Sequence, residues 1–449
     1  MKLHPITGRR PGRHALLAVA WLAVSLVGVA GADSGRVLVL EDIVVAPDDP
    51  DVVALARRHV SVMPGDPVDT AVLAEVRADL EGSGYFREVD LYTARGHEPG
   101  RVILHVEVAL DRKLRFLTGF GYEPLDGWYL NLIGARLLNR PRPGAEWRLA
   151  VRDGYFIDGL YLEGRLNTGR RGQDAWLVDL HARSEIWFAY EGREGWRQMI
   201  QTASVRLGRR VATGGRSHWT GWLGYRGVDP GATLETHFEN DEQERPASDL
   251  IDADLATRDY LDVWLEGEWD GRDPVRPWRR GAWLGTRLRL GTDLDRRVFP
   301  TFEVDARRTV PVGDAAALAG RLRAGYAGPD TPYHDRFRFG GVYSVRGYDF
   351  SHLSGPLGAS QFLQANLEYR AALLDREAPT PKVTGLVFVD TGQSWDRHGR
   401  SLGWVAGAGV GFRLRLPWVR LVGVEVGYPL VDTGDLSPFV VNVALGWSY

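Results

Sequence analysis

Two short strings, far apart in this chain, carry fixed charges of opposite sign: Val345-Arg346-Gly347-Tyr348 and Phe388-Val389-Asp390-Thr391-Gly392. A guanidinium stays charged in proteins and presents a planar fork of donors that matches a carboxylate. Arg346 and Asp390 therefore have the chemistry to tether a loop to a wall. Gly347 lets the chain turn tightly beside the cation. Catalytic chemistry has less support. Ser217 and His218 are neighbours in an apparent strand, so they point to opposite faces and cannot act as nucleophile and base together. The count of zero cysteines removes disulfides and thiolate ligands. No Asp-x-Asp-x-Asp-Gly run marks a calcium loop. The expected chemistry is ion pairing, with no enzyme activity, metal or cofactor.

For the pair to meet, one string must lie on a strand and the other on a loop that reaches it. Side chains alternate along a strand, so Phe388, Asp390 and Gly392 share one side while Val387 and Val389 share the other. The same period of two runs through the carboxy-terminal sequence. Leu363, Ala365, Leu367, Tyr369 and Ala371 alternate with Gln364, Asn366, Glu368 and Arg370, which makes Glu368 and Arg370 inward charges. Leu402, Trp404, Val410, Phe412 and Leu414 alternate with glycines and with Arg413 and Arg415. Phe439, Val441, Val443, Leu445, Trp447 and Tyr449 alternate with small or polar residues. One greasy and one polar face suit a strand with lipid outside and a lumen inside. An arginine turned to lipid at mid-bilayer costs about 2 to 4 kcal/mol. A one-residue slip would expose Glu368, Arg370, Asp390, Arg413 and Arg415 together, rivalling a domain's stability of about 5 to 15 kcal/mol.

At about 10 residues per membrane strand plus turns and loops, residues 112–449 make about 16 strands, an even count that closes an antiparallel transmembrane β-barrel. The acidic stretch from Glu235 to Asp259 reads as a solvated outer loop. Upstream, Lys2, Arg9, Arg10 and Arg13 precede an apolar run from Ala15 to Val29 and the small residues Ala30-Gly31-Ala32. This is the layout of a signal peptide over residues 1–32, and a run of about 15 residues is shorter than the roughly 20 that span a bilayer.

Residues 33–111 read as a small α+β domain. A strand covers Val37 to Val45 and a helix Asp51 to His59. A second helix is capped by Asp66, with Pro67 at its first position and Leu73, Val76 and Leu80 on one face. Strands from Val89 to Thr93 and Val102 to Ala109 complete the order. The formal net charge of -3 provides no basic footprint for nucleic acid.

That order, with Gly84-Tyr85-Phe86 ahead of Val89, resembles a POTRA domain. The mature sequence as a whole resembles the outer-membrane protein 85 superfamily, the BamA/TamA-like and two-partner-secretion transporters. In that family a long loop after the eleventh strand folds back into the barrel with Val/Ile-Arg-Gly-Phe/Tyr at its tip. Here the tip is Val345, Arg346, Gly347 and Tyr348, preceded by Phe339-Gly340-Gly341. The family's Phe-x-Asp-x-Gly strand matches Phe388, Asp390 and Gly392, and its Asn-x-Glu-Tyr-Arg strand matches Asn366, Glu368, Tyr369 and Arg370. Trp447 and Tyr449 are similar to the terminal aromatic signal for barrel insertion.

The resemblance implies a bacterial outer-membrane barrel with its amino-terminal domain in the periplasm. It implies an assembly, insertion or translocation factor acting on unfolded or extended client polypeptide among outer-membrane lipids. Other members usually carry two to five POTRA domains, and secretion transporters add a plug helix. This sequence shows one such domain and no room for the plug. The alternative expectation is a passive pore or structural surface antigen on the same barrel. Oligomeric state is not implied.

Overall fold

The computed structural model describes residues 38–445 apart from 117–118, 124–126, 155–156, 169–173, 192–193, 215, 237–242, 274, 294, 296, 350, 377, 379, 417–419 and 432–437. The expected signal peptide, Trp447 and Tyr449 lie outside the described residues.

An amino-terminal α/β unit comes first, comprising β1 (Leu38–Ala46), α1 (Pro50–His59), β2 (Pro67–Val68), α2 (Thr70–Gly82), β3 (Phe86–Arg95) and β4 (Arg101–Leu110). Its sheet order is β2-β1-β4-β3, with β1 parallel to β4. Asp49 caps α1, accepting the Asp51 and Val52 amides at 2.9 and 3.3 Å. Asp69 caps α2 by accepting the Val72 amide at 2.8 Å. Asp66 is therefore not the cap. It accepts the Met63 amide at 2.7 Å within a turn, and Pro67 opens a short edge strand, a place where a missing N–H does no harm. Leu40, Leu55, Ala56, Val76, Leu80, Leu104 and Val106 form the core beneath the helices.

The wall begins with β5 (Leu114–Phe116) and β6 (Gly119–Glu123), both paired with β7 (Gly127–Leu138) and so two pieces of one strand. Next come β8 (Ala145–Gly154), β9 (Ile157–Asn167), β10 (Ala175–Glu191), β11 (Glu194–Gly214) and β12 (Ser217–Pro230). β13 (Thr233–Thr236) and β14 (Glu244–Pro246) form a hairpin in the connection to β15 (Arg258–Asp270), which pairs directly with β12. The circuit continues through β16 (Gly281–Asp293), β17 (Val298–Val312), β18 (Ala316–Ala327), β19 (Gln361–Leu374) and β20 (Val383–Trp395). It ends with β21 (Ser401–Leu416), β22 (Arg420–Pro429) and β23 (Val440–Leu445). Among the described residues the wall is a closed barrel of 16 strands. Leu363, Leu367, Tyr369, Val387, Val389, Val410 and Phe412 are exposed on the outside, while Glu368, Arg370, Phe388, Asp390 and Arg413 are buried on the inside. The alternation is that of a membrane barrel.

The α/β unit is seated against the turns at one end of this barrel. Asn139, buried and in the left-handed region at φ 55, follows β7. Its side-chain amide donates to the carbonyls of Tyr85 and Asp111, both at 2.8 Å, while its oxygen accepts the Gly144 amide at 2.9 Å. Leu138 joins the apolar core of the α/β unit. Arg58 donates to the Asn167 carbonyl at 2.8 Å.

At the opposite end the connection from β12 to β15 departs from the solvated loop expected of it. Leu234, Ala247 and Ile251 are buried with Trp187, Trp196 and Tyr333, and Leu250, Ala253 and Leu255 pack on them. The apolar residues scattered among the acids carry enough surface to fold this connection down over the barrel.

Candidate functional site

The long connection from β18 to β19 enters the lumen from the end opposite the α/β unit. Its tip lies against β19 to β22. On β19, Asn366 and Gln364 face inward and donate to the Ser344 carbonyl at 2.7 and 3.2 Å, positioning the residue before the tip. Arg321 on β18 reaches the Tyr343 carbonyl at 2.9 Å while held by Asp305 at 2.6 Å.

The structure brings Arg346 and Asp390 together in a bidentate pair. Nε lies 2.6 Å from Oδ2 and Nη2 lies 2.8 Å from Oδ1, and the Arg346 amide also donates to Oδ2 at 3.1 Å. The guanidinium sits over the Phe388 ring, 3.5 Å from its centroid. It also bonds Glu368 and lies 3.3 Å from Glu425. Arg370 donates to Glu368 at 2.7 Å, and Arg413 pairs with Glu425. Three guanidiniums thus face three carboxylates, and none of the six side chains is more than 2% exposed. Burying charge is costly unless every charge is paired and hydrogen-bonded, and this closed neutral set meets that requirement.

The other expected site residues surround the set. Val345 and Tyr348 are fully buried with Phe339, Phe362 and Val405. The Tyr348 hydroxyl lies 2.9 Å from the carbonyls of both Ala406 and Val431. Gly347 adopts φ 99, in the left-handed region. Gly392 is covered by the Phe339 ring, so a side chain there has no space. A Cβ at Gly407 would run into the Arg346 carbonyl oxygen, and one at Gly427 would meet the main chain of Gly347. These wall glycines form a floor on which the loop backbone rests directly.

Glu425 and Gly427 were not singled out from the sequence, although both were within reach of the alternation rule: Val422, Val424 and Val426 face outward, leaving Glu425 and Gly427 inward. A second anchor, at Asp335, was also missed. It sits on a short turn of the descending limb, bonds Arg226, and lies 3.0 Å from Arg289. Both arginines share Asp262, each at 2.8 Å. Its neighbour Tyr333 donates to Gln198 at 2.7 Å. The loop is therefore fastened to the β11, β12, β15 and β16 wall before it crosses to the β19 to β22 wall. Arg415, placed inward by parity, lies at the end of β21, partly exposed and 2.6 Å from Asp375.

Gly399-Arg400-Ser401-Leu402-Gly403 fits Gly-x-Ser-x-Gly, the spacing of a hydrolase nucleophile elbow. Ser401 opens a strand after a turn between strands, and its hydroxyl accepts from Gln393 at 2.9 Å and the Gly403 amide at 3.1 Å. A nucleophile elbow requires a strand-to-helix turn, so this site carries no hydrolase geometry.

A membrane-type antiparallel barrel with a long loop folded inside and pinned by an Arg-Gly-Tyr tip defines a class of outer-membrane protein. The family model for the Omp85 superfamily domain matches residues 190–445, and the chain belongs to that superfamily. The fold is similar to BamA from Haemophilus ducreyi lacking POTRA domains 1-3, at TM-score 0.63 and 15% identity, covering 92% of this chain and 86% of that one. It is also similar to CdiB from Acinetobacter baumannii, at TM-score 0.55 and 16% identity, covering 91% and 73%. No curated protein matches in sequence. Members of the superfamily are outer-membrane β-barrels that act as transporters or assembly factors rather than enzymes.

Proposed function

We propose that this protein inserts or translocates polypeptide at the outer membrane, with residues 33–111 serving as a periplasmic POTRA-like domain that receives an extended client. The observation that carries this reading is the loop tip, which is locked by a neutral buried cluster inside a barrel of the Omp85 superfamily. Binding by strand addition suits the α/β unit, whose β3 is an edge of its sheet. Main-chain pairing of that kind leaves client choice to a few side-chain pockets. Depleting the protein and profiling outer-membrane and secreted proteins tests the reading; selective loss of some of them is expected, and an unchanged profile under conditions of expression contradicts it.

The alternative is a passive pore or structural surface antigen built on the same barrel. Conductance separates the two. A plugged barrel with rare openings supports the transporter, and a steadily open channel supports the pore.

A further inference from the structure

The tip and its cluster occupy only the β18 to β22 side of the lumen. Across from it, between the descending limb and the β10 to β17 wall, lies a cavity of about 630 Å³. Eight arginines and five carboxylates line it. Each carboxylate is already bridged to an arginine: Glu185 to Arg183 at 3.0 Å, Glu266 to Arg287 at 2.9 Å and Glu303 to Arg323 at 2.6 Å, with Asp262 and Asp335 shared by Arg226 and Arg289. Arg206 leans on Asp179, 3.0 Å away and outside the lining. Arg336 donates to the main-chain carbonyls of Thr331 at 3.0 Å and Pro329 at 3.4 Å. Positive charge is therefore in excess here, in contrast to the balanced cluster across the lumen.

We propose that this cavity is the conducting compartment of the barrel and that it prefers anions. A narrow space with low-dielectric walls focuses the field of its lining, and arginine linings select anions in pores. Screening sets the range of the effect: the Debye length is about 10 Å at 0.1 M salt and about 3 Å at 1 M, so the preference fades as salt rises. This inference does not depend on which polypeptide is handled, and client profiling after depletion reports on the proposed function separately.

The experiment is reversal-potential measurement on the purified full-length protein in a planar bilayer under a potassium chloride gradient. Openings are expected to pass chloride more readily than potassium, with the ratio falling toward unity in 1 M salt. Arg336→Gln should lower the ratio, and Glu303→Gln, which leaves Arg323 without its carboxylate, should raise it. Potassium preference overturns the proposal. So does chloride preference that neither substitution moves, because the path then lies elsewhere. A barrel that stays silent both as wild type and as Arg346→Ala, whose loop tip is released, overturns it as well.

Discussion

Arg346 has no water to fall back on. Its side chain is fully buried, and every charge it meets is fixed to the wall. Removing one partner of a buried ion pair costs about 3 to 5 kcal/mol, chiefly because the remaining charges are stranded. Arg346→Ala should lower the stability of the folded barrel by that order, read as a drop in the temperature at which it loses heat-modifiability. Arg346→Lys should recover only part of the loss, since an ammonium keeps the charge but not the fork that grips Asp390 through two nitrogens. Gly407→Ala tests the floor rather than the charge. The added methyl group meets the Arg346 carbonyl, and overpacking of this kind costs about 1 to 3 kcal/mol. Equal stability of Gly407→Ala and wild type would show that the loop backbone does not rest there.

At the scale of elements, the docking of the α/β unit depends on the turn after β7. Asn139→Ala strips the partners from two carbonyls, a loss of about 1 to 3 kcal/mol for buried groups. Limited proteolysis between residues 110 and 114 should quicken, with the heat-modifiability of the barrel unchanged. His59 makes the same region pH-sensitive. Burial, reinforced by Arg165 and Arg58, pushes its pKa down from 6.5 to about 4. Between those values the unfolded chain binds the proton that the folded chain refuses, so stability is complete above about 6.5 and declines as pH falls toward 4, by roughly 3 kcal/mol in all. Proteolysis of the unit should accelerate from pH 7 to pH 5, and His59→Leu should flatten that dependence. The strands of this unit were legible because their apolar runs are short and bounded by turn residues. The start of α2 was not: Asp66 and Asp69 both suit a cap, and the choice fell to tertiary pairing of Pro67 and Val68 with β1.

For the molecule as a whole, the barrel was legible because lipid and lumen impose opposite demands on alternate residues, and Glu368, Arg370, Phe388 and Asp390 obey that rule. The loop tip was legible because Val345-Arg346-Gly347-Tyr348 matches the tip motif of the superfamily that the sequence resembles. The extent of the cluster was not, because the alternation rule says only that Glu425 points inward and leaves open what it meets. Asp335 lies on a loop without periodicity, so no pattern marked it. The packing of Leu234, Ala247 and Ile251 on Trp187, Trp196 and Tyr333 was hidden by the acidic composition of the connection that carries them.

The most direct test of the tether is a double-mutant cycle on Arg346→Ala and Asp390→Ala, read as the thermal midpoint of the detergent-folded barrel. Direct contact within a shared network predicts that the double variant loses less than the sum of the single losses, by about 0.5 to 3 kcal/mol. Strict additivity of the two losses would contradict the account.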